Sequence, residues 1–189
     1  MSLPLEKPEM REEDFLAGEP ASEIKHEFVA GQVYAMAGAS ERHNRIAGNL
    51  FFHLRGASRG SSCRAFISDM LLHVPANRAY YYPDVMLVCD PADTEPRFKS
   101  SPCLLIEVLS DSTEMIDRRE KLLGYRKIPT LQHYLLVAQD QRRVECYSRY
   151  PEDSWRHQLI EDEGEVSLVC ASRTLNLTLA DIYEDVVFS

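Results

Sequence analysis

Two acidic residues stand where acids are unexpected. Asp84 follows Pro83 and enters the apolar run YYPDVMLV, and Glu107 interrupts the apolar segment CLLIEVLS. Burying an unpaired carboxylate costs more than one strand residue recovers. If the two segments are neighbouring strands, their acids need a shared partner, and a divalent cation suits both. Mg2+ takes hard oxygen ligands, commonly one or two carboxylates completed by waters and substrate phosphates. The backbone carbonyl of Val108 is placed to add a third protein oxygen. The competing reading is a buried acid held by an Arg or by backbone N–H groups.

Downstream, Asp117, Lys121 and Tyr125 recur at i, i+4 and i+8, one stripe of a helix. Lys121 is the candidate to reach the carboxylate pair, orient a water and offset phosphate charge. Spacing alone reads more simply, as an exposed acid-before-base ion pair. His43 sits one turn before Ile46 and Ala47, near the buried side of another helix, where a lone His is ordinarily a core or cap residue. Glu27, in a hairpin, and Asp69, in FISDMLL, read as solvated acids. There is no Gly-rich phosphate loop, no GxSxG elbow and no HExxH, and the six His are scattered.

The elements that must position these residues follow from pattern. Glu9–Ala17 suits a short helix. Lys25–Val29 and Gln32–Met36 around Ala30-Gly31 read as a hairpin. Ser40 caps a helix whose apolar stripe is Ile46, Ala47, Leu50, Phe51 and Leu54, with Gly56 near its end. Arg64–Val74 reads as one strand, Tyr80–Cys89 as another starting after Pro83, and Asp90–Pro102 as a loop. CLLIEVLS is the near-continuous apolar strand of a sheet covered on both faces. Asp111–Ile128 then reads as a helix capped by Asp111 or Ser112 and ended by Pro129. Strands follow at Gln132–Ala138, Arg142–Ser148, Trp155–Ile160 and Glu165–Cys170, with a helical turn at Leu179–Tyr183 capped by Thr178. This order predicts an α/β (α+β) fold with a mixed sheet and helices packed on it.

The 189 residues fit a single domain, with a helix and hairpin over about 9–36, a core over about 40–148 and C-terminal strands and short helix over about 155–185. Apolar residues at 44% and charged residues at 27% are ordinary globular composition. The longest apolar runs, Val85–Cys89 and Tyr134–Ala138, are far short of the ~20 residues of a membrane span, and residues 1–20 hold no apolar signal region. A net charge of −9 gives no general attraction for a polyanion, which argues against architectural DNA binding but leaves room for a local basic patch. Five widely spaced cysteines without CxxC argue against a disulfide framework or zinc site and for free thiols in a reducing cytoplasm.

With these residues assembled, the sequence resembles the PD-(D/E)XK nuclease superfamily, and within it the Uma-two family of restriction-endonuclease-like proteins. The resemblance runs from about residue 12 to 183 through HEFVAGQVYAMAGAS with His43, YYPDVMLV, PCLLIEVLSDST, the Asp117–Lys121–Tyr125 helix and IPTLQHYLLV. It implies a restriction-endonuclease-like core, a central mixed sheet flanked by helices. It implies Asp84 and Glu107 as Mg2+ ligands, with Mn2+ able to substitute, and Glu27 and His43 lining the site. The superfamily's usual lysine falls two residues after the Glu, where this chain has Leu109; Lys121 matches the place of a replacement on the next helix. The function expected is Mg2+-dependent hydrolysis of DNA by a homodimer. The rivals are a catalytically idle nuclease-fold binding or assembly module, and a structural protein whose core acids are neutralised by partners such as Arg64 or Lys121.

Overall fold

The computed structural model describes residues 9–110 and 114–188. After helix α1 (Glu12–Gly18) comes the hairpin β1 (His26–Val29) and β2 (Gln32–Ala35). Its turn needs positive φ at both central positions, and Ala30 and Gly31 take φ 47° and 90°. Helix α2 (Glu41–Ala57) starts at Ser40, whose hydroxyl accepts a hydrogen bond from the backbone N–H of His43.

The sequence pattern predicts one strand over 64–74, but the chain breaks it into β3 (Arg64–Ile67) and β4 (Leu71–Val74). Ser68 turns to φ 49° between them, and Asp69 projects into solvent. The strand expected to start after Pro83 is β6 (Val85–Val88), and a separate short strand, β5 (Ala79–Tyr81), precedes the proline. Pro83 has no N–H to give a ladder, so the strand cannot run on through it. β4 and β5 lie in one sheet, of order β2-β1-β5-β4-β7, where β7 is the short strand Phe98–Lys99 inside the expected loop. β3 and β6 lie in the other, with β8 (Pro102–Leu109), β9 (His133–Ala138), β10 (Arg143–Arg149) and β11 (Trp155–Glu161), in the order β11-β10-β9-β8-β6-β3. Asp84 therefore sits where the chain passes from one sheet to the other.

Every residue of β8 is buried, as its composition requires. One face of the larger sheet, with Val85, Leu87, Leu104, Ile106, Leu135 and Val137, packs under Ile46, Leu50 and Leu54 of α2. The same core takes in the hairpin β12 (Glu165–Cys170) and β13 (Arg173–Thr178), the latter unassigned by pattern, and α5 (Leu179–Ile182). Thr178 caps α5 in a reciprocal box with Asp181. The opposite face, with Met86, Leu105, Tyr134 and Leu136, packs against Leu72, Ala79 and Tyr81 of the smaller sheet and against Tyr125. Tyr125 ends a helical segment that runs from α3 (Glu114–Ile116) through a π-helical turn, Asp117–Lys121, into α4 (Leu122–Tyr125). The proposed caps Asp111 and Ser112 lie outside the described residues.

The cysteines correct an expectation. Cys63 is joined to Cys89 and Cys103 to Cys170, and only Cys146 is a free thiol. Spacing along the chain hides this, because register creates it. The β3–β6 pairing of Arg64 with Val88 sets Cys63 opposite Cys89, and the β12–β13 hairpin brings Cys170 over Cys103. Among the described residues no helix is long and apolar enough to cross a membrane.

Candidate active site

The antiparallel pairing of β6 with β8 matches Val85 to Ile106, so Asp84 continues the register opposite Glu107 on the same face. Directly opposed residues hold their Cβ atoms about 5 Å apart. Asp84 Oδ2 accepts a hydrogen bond from the backbone N–H of Val108 at 2.7 Å and lies 3.2 Å from Nε2 of His43. The cap at Ser40 thus also sets the first turn of α2 that aims His43 at the acid. On the other acid, Glu107 Oε1 accepts from Lys121 Nζ at 3.2 Å and from the Tyr125 hydroxyl at 3.0 Å. Lys121 Nζ is also 3.1 Å from Glu27 Oε1 and 3.1 Å from Asp117 Oδ1. Glu27 is steadied by the backbone N–H of Tyr82 at 3.3 Å.

The five residues singled out from sequence therefore meet in two touching sets, His43 with Asp84, and Glu27 with Lys121 and Glu107. The expectation that Asp117 and Lys121 form an exposed pair fails: they are 1% and 4% exposed. Their segment is a π-helical turn laid over the buried β8, and the wider turn keeps i and i+4 on one side. Asp117 is the site member that spacing undervalued. Its signal was its place on the same stripe as Lys121 and Tyr125.

Burial sets the electrostatics. Glu107, 3% exposed, is pushed well above the usual carboxylate range by desolvation, opposed by Lys121 and reinforced by Asp117, Asp84 and Glu27. For Lys121 desolvation is the largest single influence and acts downward. Glu107, Glu27 and Asp117 together outweigh it and hold the ammonium well above its ordinary range. Lys121 is therefore a fixed cation and not a general base. His43 follows the same logic: burial lowers it, but the hydrogen bond and charge of Asp84, the Val108 carbonyl and Asp117 raise it above 6.5 on balance. Burial also raises the Tyr125 hydroxyl, which stays a donor to Glu107.

The donor set suits a hard divalent cation. Three carboxylates, Glu27, Glu107 and Asp117, surround one ammonium, and a fourth, Asp84, stands across from Glu107 beside His43. Asp117 Oδ1 is buried without a well-formed hydrogen bond despite its closeness to Lys121. Among the described residues, Asp84 Oδ1 and Glu107 Oε2 accept no hydrogen bond, so each acid keeps one oxygen uncommitted. No three of these acids gather their oxygens as closely as the sulfurs of Cys89, Cys103 and Cys170 do. Two carboxylates with waters are nevertheless a normal Mg2+ shell. A cavity of about 550 Å3, lined by Ser40, Arg42, Leu109, Ser110, Gln139 and Arg143 among others, opens beside the end of β8 but not over the acids themselves.

Comparison with known proteins fits this geometry. A family model, Uma2, described as "Putative restriction endonuclease", matches residues 12–180. The Synechocystis sp. protein slr1290 is 32% identical over 182 residues, covering 96% of this chain and 95% of that one. The Synechocystis sp. protein sll1609 is 36% identical over 149 residues, covering 75% and 82%. A crystal structure from Anabaena variabilis, titled "a putative nuclease belonging to DUF820", superposes with a TM-score of 0.69 at 15% identity over 88% of this chain and 93% of that one. The fold is thus the restriction-endonuclease-like mixed sheet with flanking helices. With a family match spanning most of its length and a restriction-endonuclease-like fold around the paired acids, the chain belongs to the Uma2 family, described as "Putative restriction endonuclease".

Proposed function

We propose that the chain is a Mg2+-dependent endonuclease that hydrolyses DNA phosphodiester bonds at Asp84 and Glu107. The supporting observation is the register that sets these two acids opposite each other, each with one uncommitted oxygen in a cluster of four carboxylates. Asp84, Glu107 and the Val108 carbonyl are the residues to hold the ion. Bound there, Mg2+ supplies an acidified water and neutralises charge on the phosphate and the departing oxygen. Lys121 keeps its proton, ties Glu27, Glu107 and Asp117 together, and offsets negative charge next to the scissile phosphate. His43 and the Val108 N–H fix the Asp84 carboxylate by its Oδ2, leaving Oδ1 to the ion. Tyr125 does the same for Glu107 through Oε1. Two copies related by a two-fold axis would meet two strands, so the active form is taken as a homodimer.

One observation favours the rival reading of a catalytically idle module. Lys121 and Tyr125 already satisfy Glu107 Oε1 without any ion. Calorimetric titration of Mg2+ and Mn2+ into wild type, Asp84→Asn and Glu107→Gln, with plasmid nicking on the same samples, separates the two. Metal binding and nicking that vanish together in both variants support the enzyme. Acid-dependent metal binding with no nicking of any DNA supports the idle module. Metal binding indifferent to both variants overturns the site. Light scattering that returns one chain's mass across the working concentration range overturns the dimer.

A further inference from the structure

The chain carries a net charge of −9, yet one cavity is lined by cations and no carboxylates. It measures about 690 Å3 and lies at the end of β3 and β6 away from Asp84. Its charged lining is Arg55 of α2, Arg59 just past that helix, Arg64 of β3 and Lys99 of β7. Among the described residues none of these four has a carboxylate oxygen within the 4.0 Å of an ion pair. The dipole of α2 gives Arg55 a reason to be near the helix end. It gives none for Lys99.

Lys99 is 3% exposed. Its ammonium donates to the carbonyls of Asp93, at 3.4 Å, and Glu95, and sits 5.7 Å from the centre of the Phe66 ring. Its third N–H has no partner among the described residues. The nearby loop is rich in acids, but each is engaged elsewhere. Asp90 Oδ1 accepts from the N–H of Ala92 at 2.8 Å, Asp93 Oδ2 from those of Ser100 and Ser101 at 2.8 Å, and Glu95 pairs with Arg97 at 3.0 Å. The loop offers Lys99 and Arg64 carbonyl dipoles in place of counter-charges. A buried ammonium without an anion is costly. Three guanidinium-bearing side chains converge on the same space, and guanidinium forks match phosphate oxygens.

We propose that this cavity is a phosphate-binding site. The geometry carries that much alone; that the phosphate is one in the backbone of the DNA substrate rests on the endonuclease reading. Helix α2 joins the two sites, with His43 at Asp84 and Arg55 twelve residues on, a rise of about 18 Å at ~1.5 Å per residue. That is roughly five base pairs of duplex at ~3.4 Å per step.

The test uses Arg55→Glu/Arg59→Glu, two exposed positions, with Lys127→Glu/Arg156→Glu as an equal charge change elsewhere, and Lys99→Met. Inorganic phosphate should raise the melting temperature of wild type and the control pair but not of the Arg55/Arg59 pair or Lys99→Met. Affinity for a 30-bp duplex, measured by anisotropy with Ca2+ across a salt series, should fall at least tenfold in the Arg55/Arg59 pair. Its log–log salt slope should shrink by about 2, the loss of two phosphate contacts. Metal titration at Asp84 and Glu107 should be unchanged. Phosphate protection equal in all proteins overturns the site. Lost protection with unaltered duplex binding keeps the phosphate site and overturns its assignment to the substrate strand. Lost protection in a protein that neither binds metal nor nicks DNA keeps the site and overturns only the endonuclease.

Discussion

Replacing Lys121 by Met removes the one ammonium shared by Glu27, Glu107 and Asp117 at 3.1, 3.2 and 3.1 Å. Each contact is worth on the order of 5 kcal/mol at an effective dielectric of ~20, and desolvation of the charges offsets most of the sum. Breaking a buried pair from one side typically costs about 3–5 kcal/mol. For a domain of this size that is a fall in Tm of roughly 6–20 °C. The penalty must depend on pH. Burial already holds Glu107 above its unfolded pKa, and losing Lys121 removes the charge that opposes this, so the folded chain binds more protons. Stability is then retained at low pH and lost as pH rises through the folded values. Urea unfolding should therefore give Lys121→Met its full deficit at pH 8 and a clearly smaller one at pH 5. Adding Glu107→Gln should recover about half of the pH 8 deficit. A deficit below ~1 kcal/mol, or one equal at both pH values with no rescue by Glu107→Gln, would refute the picture of a cation holding a cluster of buried acids.

Other expectations are simpler to check. The His43 ring should titrate above 6.5 by NMR, and Asp84→Asn should bring its midpoint down, because Asp84 is the main group favouring the imidazolium. Its share of stability is full below about 6.5 and fades as pH rises through the raised value, so His43→Gln should flatten the stability profile there. Ser40→Ala should cost about 1 kcal/mol and lower Tm by roughly 2–4 °C, through loss of the α2 cap. Unfolded without reductant, the chain should take up one equivalent of a thiol reagent, at Cys146. Cleaving the Cys103–Cys170 bond, which spans 67 residues, should cost about 4 kcal/mol. Five equivalents of reagent would show that neither bond forms.

Local order was readable because it rests on neighbours in sequence. The Ala30-Gly31 hairpin, the Ser40 cap, the Thr178 cap and the buried strand CLLIEVLS all stand as their residues require. Asp84 and Glu107 stand out as charges in apolar strands, whereas Lys121, His43 and Glu27 are drawn to the same place only by the family resemblance. The span 64–74 reads as one strand, whereas the chain makes two. Its apolar pattern runs through the break, and only the turn at Ser68 divides it between two sheets, whereas Pro83 already marks the start of the strand within 80–89.

By itself, then, the sequence determined the elements, the acids worth watching and the family resemblance. Tertiary structure alone decided that Asp117 is buried with Lys121, that four cysteines pair, and that Arg55, Arg59, Arg64 and Lys99 share a cavity. The reason is physical. Capping, turn formation and apolar periodicity act over a few residues and leave a trace in spacing. Register between strands and the seating of a helix on a sheet bring together residues tens of positions apart, and one chain's spacing carries no record of which face meets which.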